Sequence, residues 1–184
     1  MLFVGRLVSR KGAKYPILAL NELIKKDSRY YLIYIGDGPE KEWIENFSKE
    51  NNLNDHLKLL GSIPNNQLPD YYRLADCLLF TSINEYGFLE AFCLVPLEAM
   101  ACGLPVIAFD NNQAYTEKPI RHSETGLLAP AKDYQKLAEN VDNLKNNLEI
   151  KNIMIQNGLA EIKNGGWQTS AVAKRMLEEI KKIN

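Results

Sequence analysis

Six short apolar runs recur along this chain, and each is followed by a longer stretch that mixes apolar with charged residues. Runs of roughly 4–8 such residues, rich in β-branched or aromatic side chains, suit strands buried on both faces. The longer stretches supply the crossover helices that parallel strands require. The pattern therefore predicts an α/β fold, a parallel sheet covered by helices. Strands are expected at about 1–5, 30–36, 57–61, 76–82, 105–109 and 126–129, and helices at about 15–26, 39–51, 67–75, 94–102 and 133–146. In the first helix Tyr15, Leu18, Leu20, Leu23 and Ile24 give an apolar side. Pro16 fits only near its first turn, and Lys25 and Lys26 suit the negative end of its dipole. Beyond 146 the pattern turns to helix alone, with Leu148–Ile162, a Gly165-Gly166 break, and Thr169–Ile183.

A chain of 184 residues without repeats or linkers reads as one domain, large enough to bury its own core. Lys and Arg number 22 against 23 Asp and Glu, a net charge of −1, so there is no basic surplus for nucleic acid or anionic lipid. Any affinity for anions must be local. Cys77, Cys93 and Cys102 have no metal-ligand spacing, and their odd number in apolar surroundings reads as reduced structural thiols. No apolar run approaches the ~20 residues of a membrane span, and the start has no signal-peptide layout. The expected location is the cytoplasm.

Two segments could carry chemistry. Gly5-Arg6-Leu7-Val8-Ser9-Arg10-Lys11-Gly12 follows the opening strand and leads to a helix, where loop backbone and a helix N-terminus can receive phosphates. A glycine lets the backbone approach an anion, and Arg6 and Lys11 bring positive charge. The spacing is not a Walker loop, and a loop of this kind taken alone more often describes exposed, solvated cations. The second segment places Glu90 and Glu98 with seven residues between them, Phe92, Cys93, Leu94 and Pro96 among these. A helix starting near Leu94 would carry Glu98 about one turn in and leave Glu90 in the loop before it. Such a pair can be a solvated face, yet the neighbours are apolar, and a carboxylate among them must find donors.

Taken in order, Phe3-Val4-Gly5-Arg6 to Lys11-Gly12, Ile35-Gly36-Asp37-Gly38-Pro39, Leu60-Gly61 to Tyr71 and Ala75-Asp76, the two glutamates with Glu98-Ala-Met-Ala-Cys-Gly-Leu-Pro-Val106, and Thr125-Gly126-Leu127-Leu128 resemble glycosyltransferase family four. That resemblance implies the C-terminal, nucleotide-sugar-binding half of a retaining GT-B enzyme. The fold it implies is a Rossmann-like parallel sheet with helices on both faces. It further implies no metal or other cofactor and a UDP- or GDP-sugar donor. Arg6 and Lys11 then match the cations that hold the diphosphate, Glu90 the carboxylate on the donor sugar, and Glu98 the one on the ribose. Phe92, Cys93 and Leu94 match positions whose backbone N–H groups meet sugar and phosphates, Gly5 lies in the phosphate loop, and Ile63 lies near the base. The sequence departs from the family pattern at Cys93, where glycine is frequent, at Asn112-Gln113-Ala114-Tyr115, and in a longer loop over Asn84–Leu89.

On this reading residues 1–184, including C-terminal helices at about 148–184, form a single donor domain. The N-terminal acceptor domain is absent from the chain, which begins directly on a core strand as a truncated chain or a separately encoded half would. The isolated domain is then expected to be incomplete and inactive. Its partners are the donor and the missing domain, through which alone the membrane could be touched, and the acceptor is a glycan, a lipid or a small molecule. The alternatives are a GT-B sugar-nucleotide epimerase and a non-catalytic nucleotide-binding module. His56 and His122 lack metal-ligand neighbours, and Trp43 and Trp167 read as packing residues. Asp37 reads as a turn residue or a cleft residue.

Overall fold

The computed structural model describes residues 1–84, 94–110 and 119–165. All six expected strands form: β1 Leu2–Val4, β2 Leu32–Ile35, β3 Leu57–Leu59, β4 Leu78–Phe80, β5 Val106–Asp110 and β6 Gly126–Pro130. They pair in parallel throughout, in the order β3-β2-β1-β4-β5-β6. The helices are α1 Lys14–Ile24, α2 Lys41–Glu50, α3 Leu68–Leu74, α4 Leu94–Ala101, α5 Tyr134–Asn146 and α6 Leu148–Asn164. The side chains of Asp133 and Asn147 cap α5 and α6 by accepting from Lys136 N and Ile150 N. The expected helix at Thr169–Ile183, and Trp167 before it, lie outside the described residues.

Successive strand residues point to opposite faces, and the burial follows that alternation. Phe3, Leu32, Tyr34, Leu79, Ile107, Phe109, Leu127 and Ala129 pack on one side with α1, α2 and α5. Leu2, Ile35, Leu78, Phe80, Val106 and Ala108 pack on the other with α3 and α4. Two corrections to the sequence reading follow. Strand β4 is shorter than the expected 76–82: its ladder ends at Phe80, and the hydroxyl of the next residue, Thr81, bonds the loop after β1. In α1 the buried residues are Pro16, Ile17, Ala19, Leu20 and Leu23, whereas Tyr15, Leu18 and Ile24 are only half-buried. The helix rests on the sheet and on α5 together, which turns its apolar face toward Ile17 and Ala19.

Helix α1 has no side-chain cap at its N-terminus. The fully buried Tyr34 of β2 reaches its first turn instead, donating to Ala13 O at 2.7 Å and accepting from Ile17 N at 3.1 Å. Tyr34→Phe should therefore lower stability by about 1–3 kcal/mol, since it strips a buried donor and a buried acceptor of their partner; denaturant unfolding checks this.

From β1 the chain builds outward to β2 and β3, then returns to lay β4 against the other side of β1. Helices α1 and α4, which follow β1 and β4, pack on opposite faces of the sheet, and ligands of open α/β sheets sit in the crevice opened at such a reversal.

Candidate functional site

The crevice is built on backbone. After β1, Gly5 N donates to Ile35 O at 2.9 Å and Leu7 N to Asp37 O at 2.9 Å, while the fully buried Leu7 side chain anchors the loop. Ser9–Lys11 make one 3-10 turn that ends at Gly12 in the left-handed conformation, φ 62°. Pinned in this way, the loop holds Arg6 exposed and Lys11 half-buried at the carboxyl end of the sheet.

Three loops interlock there. The Thr81 hydroxyl meets the carbonyls of Lys11 at 3.2 Å and Gly12 at 3.0 Å, and Ile83 N donates to Arg10 O at 2.8 Å. A Cβ on Gly12 would stand 2.0 Å from Thr81 O. On the other flank Gly36 N donates to Gly61 O at 2.7 Å, and a Cβ on Gly36 would stand 1.9 Å from Gly5 O. A continuous backbone shelf thus runs from the end of β3 across to β4. Asp37 is a turn residue within it, its carboxylate accepting from Gly38 N at 2.8 Å. Ile63, beyond Gly61, is half-buried against the second core cluster at the far end of this shelf.

Helix α4 crosses from the carboxyl end of β4 toward the start of β5, so its N-terminus opens on the same side as the shelf. Leu94 is its first residue and is 55% exposed, while Pro96 sits in the first turn, where a missing N–H costs nothing. Glu98 is the one charged residue in Leu-Val-Pro-Leu-Glu-Ala-Met-Ala. It is half-buried, and its Oε2 accepts from the Tyr72 hydroxyl at 2.8 Å. Gly5, Arg6 and Lys11 thus share one loop beside β4, Leu94 and Glu98 lie on the helix that follows, and Ile63 lies across the shelf. Glu90, Phe92 and Cys93 lie outside the described residues.

Sequence reading missed Tyr72 and Thr81. Tyr72 stands four residues after Leu68, on the buried face of α3, and that spacing singles it out from its neighbour Tyr71. Thr81 and Ser82 are buried polar residues directly after an apolar strand, and such a pair must find hydrogen bonds. The other sequence candidates have structural roles. His56 Nδ1 lies 3.0 Å from Tyr30 O, His122 accepts from Leu128 N, and Trp43 stacks on Phe47 with centroids 5.1 Å apart. Burial pushes the Cys77 thiol up and does the same to Cys102, against a smaller pull from Arg73, so both are held as thiols. Among the described residues no three His, Cys, Asp or Glu side chains form a metal-binding group, and no helix is long and apolar enough to cross a membrane.

Residues 1–160 match the family of glycosyl transferases group 1. The chain belongs to that family. An uncharacterized glycosyltransferase of Methanocaldococcus jannaschii is 32% identical to this group 1 chain over 178 residues, covering 97% of the chain and 47% of the relative. The C-terminal domain of the group 1 protein LpcC from Francisella tularensis superposes with a TM-score of 0.76 at 25% identity, over 88% of this chain and 83% of that domain. Anabaena HepE, solved with UDP and glucose, superposes with a TM-score of 0.83 at 22% identity, over 98% of this chain and 47% of HepE. The fold is therefore the Rossmann-like sheet of GT-B C-terminal domains, and the chain spans about half or less of the length of the curated relatives it matches.

Proposed function

We propose that this chain is the donor half of a retaining, metal-independent GT-B glycosyltransferase of family four, holding a UDP- or GDP-sugar for transfer to a glycan, lipid or small-molecule acceptor. The observation that carries this reading is the crevice between β1 and β4, where the cationic loop with Gly5, Arg6 and Lys11 lies beside the strand that leads into α4. HepE, alike in fold, was solved with UDP, which supports a nucleoside diphosphate as the ligand.

In that role the bond that breaks joins the anomeric carbon to the diphosphate oxygen, and negative charge grows on the leaving nucleotide. Arg6, Lys11 and the first-turn N–H groups of α4, which have no partner within the helix, meet that charge, each well-placed donor contributing on the order of 3 kcal/mol. Gly5 lets the backbone approach, and the backbone of Phe92, Cys93 and Leu94 contacts sugar and phosphates. Glu90 holds sugar hydroxyls, Glu98 accepts from the ribose, and the main chain at Ile63 meets the base. The acceptor is held by an N-terminal domain of the longer protein, so residues 1–184 bind donor nucleotide in the cytoplasm without turning it over.

Calorimetry tests this directly. UDP or GDP should bind at least about tenfold more tightly than the matching monophosphate, because a charge-assisted contact to the second phosphate is worth ~1.5–3 kcal/mol. EDTA should leave the affinity unchanged. Equal affinity for mono- and diphosphate removes the phosphate assignment, and binding that EDTA abolishes and manganese restores removes the metal-independent one.

A further inference from the structure

We infer that Tyr72 is a positioning residue for the nucleotide ribose, acting through Glu98. The inference rests on the proposal that Glu98 accepts from the ribose. Its own support is the side-chain arrangement between α3 and α4.

Glu98 is itself half-buried, in a helix whose Pro96, Leu97, Ala99 and Met100 are buried. The donor it meets among the described residues is neutral, the Tyr72 hydroxyl at 2.8 Å. Arg73, the neighbouring cation on α3, turns instead to Asp70, with Nη1 3.3 Å from Oδ1. The difference matters chemically. A guanidinium would occupy both carboxylate oxygens and cancel their charge, whereas one hydroxyl takes a single oxygen and leaves Oε1 a charged acceptor.

Tyr72 is suited to fix that orientation. It is only 1% exposed, and its ring belongs to the core cluster of Leu68, Leu78, Phe80, Ala99 and Met100. A ring held in this way has no freedom to follow Glu98, so Glu98 must follow the ring. The carboxylate is therefore aligned before nucleotide arrives, and a ribose diol that meets Oε1 need not order a loose side chain, a saving that amounts to roughly two- to tenfold in affinity.

The test uses the 184-residue chain and calorimetry with UDP and GDP, beside the 2′,3′-dideoxy diphosphates that lack the ribose hydroxyls. Tyr72→Phe should weaken whichever natural diphosphate binds by about two- to tenfold, leave the dideoxy analogue unchanged, and cost nothing further when added to Glu98→Gln. Equal weakening of natural and dideoxy ligands would mean that Tyr72 only shapes the fold, and the inference fails. It fails too if Glu98→Gln weakens binding and Tyr72→Phe does not. A Glu98→Gln chain that binds the natural ligand as the wild type does removes the ribose assignment beneath it. If Tyr72→Phe does not fold, 3-fluorotyrosine at position 72, a stronger donor of nearly equal size, should tighten the natural diphosphate and not the dideoxy one; no difference overturns the inference.

Discussion

A chain carrying Gly36→Ala should melt roughly 4–24 °C below the wild type. Gly36 has φ +133°, a conformation that side-chain-bearing residues rarely adopt, and its added Cβ would lie 1.9 Å from Gly5 O. The obstacle is backbone and cannot rotate away. Strain of ~1–3 kcal/mol from the dihedral adds to a similar amount from overpacking, and a chain of this size loses ~2–4 °C per kcal/mol. Gly5 opens the loop that carries Arg6, so the displaced carbonyl should also weaken diphosphate binding. Thermal melts with and without UDP check both parts, and an unchanged melting temperature would mean the shelf yields more readily than its geometry implies.

The second large effect concerns charge. With Arg6 and Lys11 both changed to alanine, affinity for UDP or GDP should fall at least a hundredfold, since each charge-assisted contact is worth ~1.5–3 kcal/mol. Binding of the monophosphate should fall much less. Lys163→Ala, an exposed position on α6, serves as the control for net charge. Calorimetry at two salt concentrations checks the outcome: equal losses for mono- and diphosphate would place these cations elsewhere than on the second phosphate.

The fold was largely legible in the sequence because strands buried on both faces are apolar at nearly every position. Runs such as Leu78–Phe80 and Val106–Phe109 therefore stand out without any knowledge of their partners. Their ends were less legible, as Thr81 shows: whether a threonine continues a strand or turns to a neighbouring loop depends on Gly12, far away in sequence. The face of α1 was misread for a related reason. A helix wedged between a sheet and α5 buries an arc that periodicity alone does not orient, and Ala19 adds little hydrophobic signal although it is fully buried. At the candidate site, Gly5, Arg6, Lys11 and Glu98 stand out in the sequence because charge and glycine interrupt apolar surroundings. The spacing from Leu68 marks Tyr72 as buried, but the partner of its hydroxyl lies on another helix and leaves no signal in the local sequence.

The placement of β1 between β2 and β4 also bears on how the chain folds. Strands β1, β2 and β3 with their helices can assemble through local crossovers within the first half of the sequence. The pairing of Leu2 with Leu78 instead closes a loop of some seventy residues, the longest step in building the sheet. The Arg6–Lys11 loop and the strand that leads to α4 meet across that seam. A ligand seated there distinguishes chains whose two halves have docked from those in which each half is formed but still apart.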